Sequence, residues 1–144
     1  MKEEGFSLIE LLIVVAIVGI VSSIAVPNLL NARKATYGAN AMRYLKTWVA
    51  GQEMYKKTKG VYADADDQLV KERYVERGVD SNGVPDDLAY TYSIDSPSTS
   101  TTAWWGRARR RSPLLATLSF YIDQSGVIRS RVGNTADVTD QPFQ

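Results

Sequence analysis

Apolar positions divide the chain into stretches of different period. From Leu8 to Val26 the sequence is apolar except at Glu10, Gly19, Ser22 and Ser23, and no charge occurs between Leu11 and Ala32. A helix of this composition has no polar face. At about 1.5 Å per residue, Phe6 to Val26 would span roughly 30 Å, the thickness of a bilayer's hydrocarbon core. Beyond Pro27 the pattern becomes one-sided. Leu30, Tyr37, Ala41, Leu45, Trp48 and Tyr55 recur at steps of three, four or their multiples, and Arg33, Lys34, Arg43, Lys46 and Lys56 largely fall off that stripe. This predicts an amphipathic helix. Its last turn carries Lys56, Lys57 and Lys59 before Gly60, which suits the negative end of a helix and a glycine cap. One helix is therefore expected over about 6–59. Pro27 removes a backbone donor and crowds the preceding turn, so a kink is expected there.

After Gly60 the chain is polar as far as Asp87, with one short helix expected over Asp66–Tyr74, acidic at its start. Alternation then predicts strands. In a first strand, Leu88–Ile94, Leu88, Tyr90, Tyr92 and Ile94 share one face, and in a second, Leu114–Ile122, so do Ala116, Leu118, Phe120 and Ile122. Asp123-Gln124-Ser125-Gly126 reads as a turn leading to a third strand, Val127–Val132. The polar stretch from Gly133 onward is expected to be loose. The fold class is α+β: a long N-terminal helix packed on a small antiparallel sheet of three or four strands.

Composition narrows the chemistry. The 144 residues suffice for one modest core, and a net charge of +1 names no partner. There is no histidine and no cysteine. That removes the commonest general base and the Cys/His zinc sites, and it argues against an enzyme.

Glu10 is then the anomaly, a carboxylate at the edge of a membrane-length run. Near mid-bilayer an acid costs about 2.5–3.5 kcal/mol on insertion scales, less near an interface. A secretory signal would begin with basic residues and be shorter than this run behind Lys2-Glu3-Glu4. A plain anchor fits the length and has no use for the acid. A buried helix of a soluble domain would not be apolar on every side. The remaining reading makes Glu10 a functional group in need of a cation, which the apolar stretch does not contain.

Gly5-Phe6-Ser7-Leu8-Ile9-Glu10 followed by an apolar helix resembles the processing site of type IV prepilins, a signature shared with the pseudopilins of type II secretion. The resemblance implies cleavage between Gly5 and Phe6 by a prepilin peptidase and N-methylation of Phe6. It implies that Glu10 is the family's acid four residues beyond the new terminus, and that Pro27 is its helix-kinking proline. It thereby supplies the cation, since cutting creates an amine at Phe6 that can meet Glu10 of its own or a neighbouring subunit. An acid in low dielectric is driven to such a partner, and the pair fixes register more than it adds stability. The implied organisation is a leader at 1–5, a membrane and filament-core half-helix at 6–27, an amphipathic half-helix at 28–59 and a globular head at 60–144. The implied function is the structural subunit of a type IV pilus: inserted in the bacterial inner membrane, then assembled with copies of itself into a surface filament. An assembly platform and ATPase would serve it indirectly.

Two further groups invite chemistry. Trp104, Trp105, Arg107, Arg109, Arg110 and Arg111 join indoles to guanidinium groups, a combination suited to DNA or to an inter-subunit contact. Asp80, Asn82, Asp86 and Asp87 offer the oxygen ligands that calcium favours, although their spacing is not that of an EF-hand and an Asx-type turn explains them without metal. No other cofactor is expected. The alternatives to the pilus subunit are a major pseudopilin of type II secretion, for which calcium-dependent stability would speak, and a membrane-anchored nucleic-acid-binding module.

Overall fold

The computed structural model describes residues 6–76, 89–95, 102–133 and 135–143. Helix α1 runs Leu8–Lys59 with Pro27 inside it. The chain divides into two compact units, the first ending at Arg33 and the second beginning at Lys34. In the first unit α1 carries its apolar residues on all sides. In the second, Gly38, Ala41, Leu45, Trp48 and Gln52 are buried at alternating steps of three and four, the seam of an amphipathic helix.

The second unit adds α2, Asp66–Lys71, and four strands: β1, Tyr90–Asp95; β2, Trp105–Arg110; β3, Leu118–Asp123; and β4, Arg129–Val132. The strands form one antiparallel sheet in the order β1-β2-β3-β4. Tyr90, Ile94, Gly106, Ala108, Phe120 and Ile122 are buried on the face that packs against α1. The core holds Leu45, Trp48, Leu69, Tyr90, Trp104, Phe120 and Ile122. Aromatic edges interlock within it: Tyr44 meets Trp48 at 5.4 Å and Tyr92 at 4.9 Å between ring centroids. Such T-shaped pairs place a ring's positive edge against a neighbour's negative face.

Several local features depart from the expectations, among them the strand expected over Val127–Val132, which begins at Arg129. The Trp-Gly-Arg-Ala-Arg-Arg stretch is a central strand, β2. The expected strand from Leu114 starts instead at Leu118, because Ser112–Leu115 forms a turn in which the Ser112 carbonyl accepts from the amides of Leu115 and Ala116 at 3.2 and 3.0 Å. Helix α2 ends at Lys71, and Arg73 adopts a left-handed backbone with φ of 60°. The tail is held rather than loose. Ser130 N donates to the Gln141 carbonyl at 3.2 Å, Phe143 N to the Ile128 carbonyl at 2.8 Å, and Arg129 bridges to Pro142, so the tail pairs along the free side of β4. Ala136 is fully buried, and Arg131 Nε donates to Asp140 Oδ1 at 2.7 Å. Backbone pairing and side-chain hydrogen bonds here replace the apolar burial that the polar sequence lacks.

The turn after β3 is as its sequence demands. Asp123 Oδ1 accepts from the Ser125 amide at 2.8 Å, and Gly126 takes φ of 74°, where a Cβ would be strained.

Candidate functional site

The apolar segment is exposed throughout. Every large apolar side chain from Phe6 to Leu30 lies between 48% and 77% exposed. A core helix of a globular domain would have buried one side. An exposed apolar surface of this extent marks contact with lipid or with other protein.

At its start the chain turns into α1 through Ser7. The Ser7 carbonyl accepts the first helical bond, from Leu11 N at 3.2 Å. The Glu10 Oε2 carboxylate oxygen accepts from the Ser7 amide at 2.8 Å. Ser7 is thus the N-cap and Glu10 the third helical residue, the spacing of a capping box, and the carboxylate satisfies one of the donors that a helix start leaves open. Its charge also lies at the positive end of the helix dipole. Phe6 is 76% exposed and adjoins this cap. Pro27 lies in the same exposed stretch, where it has no N–H to offer the Ser23 carbonyl, while the Ser23 hydroxyl donates to the Ile20 carbonyl at 2.7 Å.

The tryptophan–arginine group does not form one patch, because a strand sends alternate side chains to opposite faces. Trp104 is 0% exposed and packs in the core at 6.5 Å from Tyr62, so it cannot stack on a base. Its burial is a correction to its place in a nucleic-acid surface. Gly106 and Ala108 face α1, whereas Trp105, Arg107 and Arg109 occupy the opposite face. Arg109 is exposed, and Arg107 is half-buried opposite Tyr121 and near Asp137. Arg110 is half-buried at the end of β2. Arg111 is exposed and donates from Nε to the Tyr90 carbonyl at 3.0 Å. Burial pushes the Tyr121 phenol up, with Asp123 adding to the effect and Arg107 and Arg129 opposing it. The calcium candidates Asp80, Asn82, Asp86 and Asp87 lie outside the described residues, as does Gly5.

The sequence reading missed two positioning residues. Gln52, 0% exposed, donates from Nε2 to the Ala63 carbonyl at 2.9 Å and accepts the Ala63 amide on Oε1 at 2.8 Å, fastening the chain after α1 back onto the helix. Its position four residues beyond Trp48 was the available signal. Ser119, buried on β3, donates to the Gly133 carbonyl at 2.5 Å and ties the tail to the sheet.

Comparisons with known proteins fall on this same N-terminal region. Residues 1–26 match the family described as prokaryotic N-terminal methylation motif. The chain is 49% identical over 53 residues to the type IV wide pilus major component PilA4 of Thermus thermophilus, covering 37% of this chain and 40% of that one. It is 38% identical over 63 residues to the type IV major pilin protein PilA of Myxococcus xanthus, covering 44% and 29%. It is 35% identical over 68 residues to the type II secretion system core protein G of Vibrio cholerae, covering 47% of each. The matched part therefore spans less than half the length of each of these curated relatives. In its long N-terminal helix, methylation motif and four-stranded antiparallel sheet the chain is type IV pilin-like.

Proposed function

We propose that the chain is the structural subunit of a type IV pilus, polymerising through its apolar half-helix into an extracellular filament. The carrying observation is the coincidence of the methylation motif at 1–26 with the first part of α1, whose large apolar residues are exposed on every side. Such a surface needs one apolar environment before assembly and another after it. A bilayer and a bundle of identical helices provide these in turn. Cleavage before Phe6 frees an amine one residue from the Ser7 cap, and the Glu10 carboxylate is then positioned to pair with its own terminus or an older subunit's. Pairing offsets the desolvation of both charges and selects axial register. The reading includes no catalytic step by this chain. A peptidase that also methylates Phe6, an inner-membrane platform and an assembly ATPase would act on it. Motility, adhesion or DNA uptake would follow from cycles of assembly and retraction.

The test is electron microscopy of sheared surface fibres with mass spectrometry of the subunit's N-terminus. Methylated Phe6 in long fibres is the expected result. Fibres built of another subunit, or a chain still beginning at Met1, would defeat the proposal.

A second reading, the major pseudopilin of a type II secretion system, is favoured by the similarity to core protein G. It predicts calcium-dependent stability through Asp80, Asn82, Asp86 and Asp87, and secretion defects rather than loss of surface fibres on deletion. A nucleic-acid-binding role would rest on Arg109 and Arg111 without Trp104, and absence of a gel shift at low salt would remove it.

A further inference from the structure

One end of the sheet pairs strong charge with exposed apolar side chains. Strand β2 ends in Arg109 and Arg110, followed by Arg111 and the turn Ser112–Leu115. Leu114 at the tip of that turn is 78% exposed, the most of any large apolar residue described. The turn is built to present it. The Ser112 hydroxyl accepts the Leu114 amide at 3.2 Å, the Ser112 carbonyl holds the next two amides, Leu115 packs against the core and Ala116 is fully buried. Val132, opposite Leu118 at the same end, is 70% exposed. Arg109 and Arg111, which lead into the turn, are exposed.

The end concerned is fixed by the packing of the second unit. Gly38 lies against Phe120 and Tyr90, and Trp48, later in α1, lies against Gly106. Tyr90 pairs with Arg110. The basic and apolar tip is therefore at the end of the unit where α1 enters at Lys34, and the Asp123–Gly126 turn is at the other, beside Val49.

A rigid exposed leucine three residues beyond a run of arginines has the chemistry of an interfacial membrane contact: the apolar group enters the acyl boundary and the cations meet anionic headgroups. We propose that the Arg109–Leu115 tip rests on an anionic lipid surface before assembly, with Leu114 inserted and Arg109 and Arg111 on lipid phosphates. The proposal rests on the reading that the apolar segment is anchored in a bilayer. It assigns the tip a role separate from filament packing.

The absence of native cysteine allows a direct test. Full chains carrying Leu114→Cys, Gln124→Cys or Val18→Cys are labelled with an environment-sensitive fluorophore. They are reconstituted in phosphatidylcholine vesicles with or without phosphatidylglycerol and exposed to lipid-borne quenchers. The expected result is quenching at residue 114 roughly threefold above that at 124, only in the anionic vesicles and weakened by salt. Arg109→Gln with Arg111→Gln should abolish the difference, and the two lysine replacements should restore it. Equal quenching at 114 and 124 with strong quenching at 18 would overturn the proposal and leave the anchor standing. Lack of quenching at 18 would overturn the anchor itself, and the proposal with it. A signal at 114 that follows protein density rather than lipid charge would assign the tip to a second copy and likewise overturn the proposal.

Discussion

Trp48 of α1 packs its ring directly on the backbone of Gly106 in β2, so close that a Cβ at position 106 would lie 2.6 Å from both Cε3 and Cζ3. The indole is held on its other sides by Tyr44 and Tyr92, at 5.4 and 6.2 Å between centroids. This contact joins the helix to the middle of the sheet. It also explains why β2 has glycine at position 106, where a strand usually carries a larger residue: the tryptophan occupies the space a side chain would fill.

Gly106→Ala should therefore destabilise the head by about 1–3 kcal/mol, the usual range for overpacking a core that cannot give way. Thermal unfolding of the full chain in detergent checks this. Trp48→Leu should recover part of the loss in the double variant, giving a coupling energy that two independent sites would not show.

Gln52 predicts a loss of another kind. Replacing it by Leu leaves the buried amide and carbonyl of Ala63 without their partners. Each unsatisfied group costs about 1–3 kcal/mol, so a loss of roughly 2–4 kcal/mol is expected despite the added apolar volume. Denaturant titration would measure it. A change under about 0.5 kcal/mol, typical of exposed positions, would refute the clamp.

These two sites show what the sequence could and could not disclose. The apolar period of α1 was readable because burial is one-sided and regular, and the alternation around Tyr90 and Phe120 marked β1 and β3 for the same reason. Strand β2 was hidden because its inward positions are Gly106 and Ala108, which carry little hydrophobic signal, while its outward arginines read as a charged patch. Gln52 lay on the correct helical face under a polar identity. The tail was hidden because hydrogen bonds hold it rather than buried carbon. At the other end, Ser7 and Glu10 have the spacing of a capping box, and the membrane-length run beside them drew the reading toward ion pairing alone.

The turn Asp137–Asp140 within the tail should loosen in acid. Asp137 is held below the usual carboxylate range by the Thr139 hydroxyl and then the Thr139 amide, at 2.5 and 2.8 Å, with Arg131 assisting and burial opposing. A depressed folded value means that stability is fully present above the ordinary value, on the order of pH 4. It is lost as pH falls through the lower folded value. Amide exchange at Thr139, whose N–H donates to Asp137 Oδ1, should rise over that window while the core stays protected. Thr139→Val removes the hydroxyl donor and should shift the rise to higher pH. Exchange that accelerates at turn and core together would show that the turn has no separate acid step.

Glu10 has two roles that one pair of variants can separate. In the uncut chain it caps α1 by accepting the Ser7 amide, and in a filament it is proposed to meet the Phe6 amine. Gln at this position keeps an acceptor for the amide but has no charge; Ala keeps neither. If capping is what matters, Glu10→Gln should assemble nearly as well as the parent and Glu10→Ala should not, since a lost N-terminal cap costs about 1 kcal/mol. If the ion pair matters, both should fail. The second outcome is expected, because in a low-dielectric core an amine without its carboxylate is an unpaired buried charge, a loss of about 3–5 kcal/mol that a neutral amide does not restore. Counting surface filaments for the three chains at equal expression decides between them. Helix content of the reconstituted monomers, expected to be alike for Glu and Gln, shows that the Gln variant's failure lies in assembly and not in folding.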